Sequence, residues 1–429
     1  MSEPQTSGCG KPLRRAAAQG DLASIKALIF SAHQHQPFPG QHREQQVSPN
    51  DLDGALLRAA EWGQLEAVRL LCSAGASCLR ARDRRGNSVL HVAARAVNPS
   101  SCDAASSSSN VELLRLLLEL GAEVAAINAL GQNALHCWAE LALEDLPGAE
   151  LLLLSGTGGD RQRLQLLQHV DEDLNAPLHV ALGTAKPNLA ELFIRHGADV
   201  NAENSGGIVP LYLAVAAHDI ASVKLLISRG AHIKGGKGSM ALLIACAANH
   251  AEMIDLLLNS GVELSGFVEE VGYNAYERIS EEASMRVVAK YVAKIQSRDS
   301  TLEVGEILGV IDKSPEWRSF YLDCHRELEC MSAEKMYGHL SFYDALFEQP
   351  HKLVCLLRNG HFVKSFKSSA PSRLFPIYAH ELEEKFGLAE KRRDCLDTMK
   401  GQLEAVFHDY LPDLALERIL HYLSDEIWA

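Results

Sequence analysis

The sequence predicts an all-α protein, a solenoid of short helix pairs followed by a smaller helical domain. Three observations carry that expectation. An apolar Leu-x-x-Ala phrase, a Leu-rich segment and a Gly-Ala ending return every thirty-odd residues through the first part of the chain. Hydrophobic residues make up 47% of the 429 positions but aromatic ones only 6%, which suits a leucine- and alanine-rich helical array. Aromatic residues then become frequent from Trp317 onward, where the repeat has gone but helical spacing continues.

The clearest copy of the repeat runs Val209-Pro210-Leu211-Tyr212-Leu213-Ala214, then Ser222-Val223-Lys224-Leu225-Leu226-Ile227, then Arg229-Gly230-Ala231. It resembles the T-P-L-H-x-A pattern of the ankyrin repeat, a turn plus two helices. The signature leucine recurs at Leu13, Leu56, Leu90, Leu135, Leu178, Leu211 and Leu242, which implies about seven repeats. The last two steps, 33 and 31 residues, sit close to the repeat period, whereas the earlier steps of 43, 34, 45 and 43 require insertions. These fall at 34–50, 98–110 and 156–173, stretches whose composition suggests loops outside the stack.

Within a copy each residue type has a physical task. Pro177 and Pro210 suit a first helical position, where the missing N–H would have no partner anyway. Gly75, Gly121, Gly197, Gly230 and Gly261 should end the second helices in the left-handed conformation that glycine adopts at low cost. His91, His136 and His179 follow the signature leucine, and the ankyrin resemblance implies that each bonds the backbone of a neighbouring loop. Residues one repeat apart stack in a ladder without clustered Cys or Asp, so these histidines do not form a metal centre.

Composition also excludes function classes. A formal charge of −14 argues against a general nucleic-acid binder. A local basic run, Arg80, Arg82, Arg84 and Arg85, sits on a predicted inter-repeat finger, either as a solvated tip or as a docking patch for an acidic partner. The ten cysteines form no Cys-x-x-Cys pair, so neither a zinc module nor a disulfide framework is indicated. Even the nearest cluster, Cys324, His325 and Cys330, lacks metal-site spacing. Residues 1–10 are polar and read as disordered, no apolar run is long enough to span a membrane, and a cytoplasmic or nuclear location is expected. Gly235-Gly236-Lys237-Gly238-Ser239 lacks the Ser or Thr that a phosphate-binding loop needs directly after its lysine. His408-Asp409 has no nucleophile elbow to serve. No catalytic constellation and no cofactor are therefore expected.

The repeat fades after Gly261. Gly272-Tyr273-Asn274-Ala275-Tyr276 begins a degenerate copy, and 285–295, with Arg286, Lys290 and Lys294, reads as the second helix of a polar capping repeat that closes an array over 11–295. Residues 296–302 read as a linker, and 303–429 as a separate domain. Along it come Ser341-Phe342-Tyr343-Asp344-Ala345-Leu346 with Leu357-Arg358-Asn359, then Phe375-Pro376-Ile377-Tyr378 ahead of Arg392-Arg393, then Leu411-Pro412 leading into Ile419-Leu420-His421-Tyr422-Leu423. This order resembles the PRANC domain, the C-terminal module of poxviral ankyrin-repeat proteins that is also seen in parasitoid wasps and their bacterial endosymbionts.

Proline can open a helix at Pro412, and Leu416, Ile419, Leu420 and Leu423 then stand at i, i+3, i+4 and i+7 as one apolar stripe. The segment 411–428 resembles the front half of an F-box. That resemblance implies docking of Leu411, Pro412, Leu416, Ile419, Leu420 and Leu423 on the Skp-family adaptor of a cullin-RING ubiquitin ligase; the alternative is a stripe that closes the domain's own core. The expected function is a non-enzymatic adaptor in a host–pathogen or host–parasitoid setting, whose array binds a target protein while its end recruits the ligase. The alternative is a scaffold that sequesters a host signalling protein without ligase recruitment. Position on the predicted fingers nominates Asp83, Arg84, Arg85, Asn87, Asn128, Leu130, Gln132, Glu203, Asn204 and Ile208 as target contacts.

Overall fold

The computed structural model describes residues 10–34, 47–96, 105–140, 146–155, 159–262, 282–299, 305–348 and 350–407. The chain divides into two compact units, Met1–Gly266 and Phe267–Ala429.

In the first unit the helices come in seven pairs: α1 (Gly10–Gln19) with α2 (Leu22–Gln34), α3 (Pro49–Glu61) with α4 (Leu65–Ser73), α5 (Val89–Ala94) with α6 (Ala105–Glu119), α7 (Ala134–Glu140) with α8 (Leu146–Leu154), α10 (Pro177–Gly183) with α11 (Pro187–Arg195), α12 (Pro210–Ala216) with α13 (Ile220–Ser228), and α14 (Gly236–Ala247) with α15 (Ala251–Asn259). First helices pack on first helices and second on second, so two layers run side by side along the stack. All seven signature leucines are buried, the most exposed of them at 1%. The sequence phasing therefore coincides with the packed layer. Pro177 and Pro210 occupy the first helical position, and Ser48 caps α3 in a reciprocal box with Asp51.

Five of the second helices, α4, α6, α11, α13 and α15, stop at their expected glycine. Gly75, Gly121, Gly197, Gly230 and Gly261 all have φ between +83° and +104°. The residue after each donates its N–H back into the last helical turn, as Ala76 does to the Leu71 carbonyl at 3.0 Å and Ala231 to that of Leu226 at 2.9 Å. These bonds satisfy carbonyls that the helix end would otherwise orphan.

Two of the expected loops carry helix instead. The stretch read as the third insertion contains α9 (Gly159–Gln168), whose Leu166 and Leu167 are buried at 3% and 1% as it packs on α8 and α10. Its charged and Gln residues hid a short apolar edge that the neighbouring helices cover. The serine run 106–109 lies inside α6 and lengthens it, so the second insertion is shorter than composition suggested.

The second unit begins earlier than the sequence reading placed it. Helix α16 (Glu282–Arg298) runs through the first half of the expected linker and packs within this unit against α18 (Pro315–Ala333). Its Ala293 is part of one core with Cys324, Leu328, Phe342, Phe362, Tyr378 and Phe386. The basic residues read as a water-facing cap, Arg286, Lys290 and Lys294, stand four apart with Arg298 after them, and each of the four lies over an aromatic ring. Arg286 is 5.3 Å from the Phe320 centroid, Lys290 5.1 Å from Tyr378, and Lys294 and Arg298 are 5.9 and 5.7 Å from Phe347. Glu381 pairs with Lys294 and lies 3.8 Å from Lys290, while the Tyr378 hydroxyl donates to the Lys290 carbonyl at 3.0 Å. Cation–π attraction and a shared carboxylate add to the burial of Met285, Val288, Ala289, Val292 and Ala293 on this helix.

The unit continues with α17 (Gly305–Ile311), α18, a small antiparallel hairpin of β1 (Lys335–Tyr337) and β2 (Leu340–Ser341), α19 (Phe342–Phe347), α20 (Pro350–Leu357), α21 (Gly360–Ser369), α22 (Pro371–Leu374) and the long α23 (Ala379–Phe407). Glu327 on α18 accepts N–H bonds from Ile377 and Tyr378, both at 2.9 Å, tying the turn ahead of α23 to the core.

Two outcomes follow for thermal melting followed by circular dichroism. Leu226→Ala, at a fully buried site, should cost about 2–5 kcal/mol. A fragment 282–429 should melt cooperatively, whereas 301–429, stripped of α16 and its four cations, should lose most of that transition; equal melting of the two fragments would show that α16 is dispensable.

Candidate partner-binding surface

Between consecutive helix pairs the chain makes fingers at 83–87, 128–132, 171–175 and 204–208, and all four are closed by the same device. The first residue, Asp83, Asn128, Asp171 or Asn204, accepts through Oδ1 the N–H groups two and four residues on, at 2.8–3.0 Å throughout. Short Asx side chains suit this because one oxygen satisfies two turn donors.

The fingers are joined to one another. The Ala129 N–H donates to the Arg85 carbonyl at 2.9 Å, Glu172 N–H to Leu130 at 3.0 Å, and Ser205 N–H to Asp173 at 2.9 Å. Side chains repeat the link, with Asn128 Nδ2 donating to Asn87 Oδ1 and Asn204 Nδ2 to Asn175 Oδ1, each at 2.9 Å. The expected histidine ties are present. Nε2 of His91 lies 2.8 Å from the Gln132 carbonyl, that of His136 2.9 Å from Asn175, and that of His179 3.1 Å from Ile208. In each ring Nδ1 accepts a backbone N–H three residues back, from Ser88, Asn133 or Ala176, so the neutral ring with its proton on Nε2 satisfies both ends. Burial, the largest influence, lowers all three histidine pKa values, that of His136 to about 4 despite its bond to Asn175 and the nearby Asp171 carboxylate.

This network reassigns half of the nominated target contacts. Asn87, Asn128 and Gln132 are buried, and Asp83 and Asn204 hold their own turns closed, so all five serve the fold. Arg84, Arg85, Leu130, Glu203 and Ile208 keep exposed side chains. Glu203 pairs with Lys237, which lowers its carboxyl pKa and gives the lysine of the glycine-rich 235–239 segment a structural partner. Of the basic run, Arg80 bonds Asp53 at 3.1 Å and Arg82 approaches Glu123 at 3.9 Å, while Arg84 and Arg85 stand at the finger tip.

The sequence reading missed the third finger, whose first residues it counted as insertion. A signal was available, because an Asp or Asn stands eight residues before His91, His136, His179 and Tyr212 alike. That finger is unusual at its fourth position. Gly86, Gly131 and Gly207 have φ of +73°, +72° and +70° there, but Leu174 holds +59°. Glycine is needed where the next finger comes close, since a Cβ on Gly86 would lie 3.0 Å from the Ala129 nitrogen and one on Gly131 3.2 Å from that of Glu172. A left-handed leucine costs about 1–2 kcal/mol, and Leu174 is 47% exposed, so its side chain returns little burial energy.

The six residues nominated for adaptor binding, Leu411, Pro412, Leu416, Ile419, Leu420 and Leu423, lie outside the described residues. Among the described residues no group of three or more His, Cys, Asp or Glu is placed to hold a metal, and no helix is long and apolar enough to cross a membrane. Cys72 and Cys78 bring their sulfurs within 3.6 Å as free thiols.

Stacked helix pairs with hydrogen-bonded fingers define an all-α ankyrin-repeat solenoid, a module for protein–protein interaction. Residues 173–205 match the family model described as ankyrin repeat. The chain is similar to the B-cell lymphoma 3 protein homolog of Mus musculus, 27% identical over 220 residues that cover 51% of this chain and 44% of the relative. It is also similar to the transient receptor potential cation channel subfamily A member 1 homolog of Caenorhabditis elegans, 27% identical over 161 residues that cover 38% and 12%. The chain thus spans less than half the length of either curated relative.

The buried histidines set a pH dependence. Their folded pKa values lie below the unfolded value, so the unfolded chain takes up protons first and stability is lost as pH falls from about 6.5 toward about 4. His136 alone should contribute roughly 3 kcal/mol to that loss. His136→Asn should flatten the melting-temperature profile over that window, and an unchanged slope would assign the acid loss to carboxylates.

Proposed function

We propose that the protein is a non-catalytic adaptor whose ankyrin array holds a target protein while its C-terminal segment recruits a Skp-family adaptor and, through it, a cullin-RING ubiquitin ligase. The observation that carries the first half is the row of hydrogen-bonded fingers, which presents exposed charged and aliphatic side chains. The second half rests on sequence, on the ordered PRANC-like motifs and on the stripe Leu416, Ile419, Leu420 and Leu423 behind Leu411-Pro412. Two of those motifs have core roles that suit a compact PRANC-like domain: Ser341 and Asp344 form a capping box with Phe342 buried behind it, and Phe375 and Tyr378 lie in the same core. An aliphatic helix face of this kind docks into a groove on its partner. Holding target and ligase on one chain raises the effective concentration of the transferring complex without any new contact. Targets in a host immune or ubiquitin pathway follow from the PRANC resemblance.

The test is binding of purified Skp-family adaptor to the full chain, with melting and helicity recorded alongside. Replacing Ile419 and Leu420 together by Asp places carboxylates in a desolvated groove, a penalty of several kcal/mol, or about a thousandfold in affinity. The array should melt unchanged, because each repeat contacts only its neighbours. Lost adaptor binding with intact melting supports recruitment. Unfolding of the second unit would make the stripe a core element, and unchanged binding would remove the proposed interface.

A further inference from the structure

The exposed finger tips are not a uniform surface. Hydrogen bonds between fingers fix their order, and along that order the chemistry changes sign. The first tip carries Arg84 and Arg85, the second Leu130 at 47% exposure, and the third Glu172 and Asp173 beside Leu174, also at 47%. The sequence thus runs basic, aliphatic, acidic across a distance on the order of 15 Å, from two inter-finger bonds and the residues between them. Leu174 adds a separate observation. It occupies a left-handed position that three sister fingers give to glycine, where a side chain strains the backbone, and it is exposed. Strain kept at an exposed apolar side chain points to a role outside the fold.

We infer that the target of the array is a protein segment with the complementary order, acidic at one end, aliphatic in the middle and basic at the other, its aliphatic residues packing against Leu130 and Leu174. This rests on the reading of the array as the target-binding end and is independent of ligase recruitment. Arg84 and Arg85 set one end of the register, Glu172 and Asp173 the other, and a partner of uniform charge meets repulsion at one of the two. The leucines supply the desolvated centre between the charged ends.

The probes are synthetic peptides of about twelve residues, long enough to span the tips whether extended or helical. One is acidic–aliphatic–basic, one has acidic flanks on both sides and one has basic flanks on both sides. Binding to the full chain should favour the first by about tenfold over either control at 0.15 M salt, and the preference should collapse near 1 M, where screening is complete within a few ångströms. Arg84→Glu with Arg85→Glu turns the surface acidic at both ends and should transfer the preference to the peptide with basic flanks. Leu174→Gly should raise the melting temperature of the array while weakening the favoured peptide about tenfold, opposite signs that a purely structural leucine would not give. Equal binding of the three peptides, an unchanged order after charge reversal, or Leu174→Gly that stabilises without weakening binding would each overturn the inference. Adaptor binding measured on the same variants should not change; if the chain fails to bind adaptor while the peptide order holds, the ligase reading falls and this surface stands.

Discussion

The bond from a buried imidazole to the carbonyl of the next finger holds the array in register. Each of His91, His136 and His179 accepts at Nδ1 the backbone N–H of the residue just before its own helix and donates from Nε2 to the following finger. A helix pair alone can slide on its neighbour, since leucine contacts are not directional. A hydrogen bond that must be made in a buried site is directional, and leaving it unmade costs the desolvation of both groups. The rings must be neutral to do this, which is why burial holds their pKa values down and why the same bonds weaken the array in acid.

Once the fingers are in register, their side chains divide into two sets. Asp83, Asn128, Asp171 and Asn204 each turn one oxygen onto their own turn to close it, and Asn87 and Gln132 are buried in the hydrogen-bond network of the fingers. Arginine, leucine and the acidic pair of the third finger face outward. The scaffold thus needs small amides and carboxylates at fixed offsets and leaves the tip positions chemically open. At Leu174 the two demands collide, because the turn favours glycine and the exposed position carries an aliphatic side chain.

The second unit is organised on a different interaction. Its core is aromatic, and the faces of those rings attract the four cations that α16 sets along one line at i, i+4, i+8 and i+12. Glu381 lies between Lys290 and Lys294 and offsets their mutual repulsion, at 17% side-chain exposure, where screening by solvent is reduced. A helix that reads as a polar cap is therefore a structural member of the aromatic domain.

The sequence alone determined the helical class, the seven-fold phasing and the glycines that end the second helices, because each is enforced by local backbone geometry or by a period written directly in residue spacing, while the histidine ties followed from the ankyrin resemblance. It did not determine which unit owns Glu282–Arg298, that a Gln-rich stretch would become α9, or which finger residues face out. Helical spacing defines a face but is silent about what meets it, so a row of lysines and arginines reads the same whether water or phenylalanine lies opposite. Asn128 and Leu130, two residues apart on one finger, gave equally good candidates by position, and only the packed neighbouring fingers decided that the first is buried in a hydrogen-bond network and the second exposed.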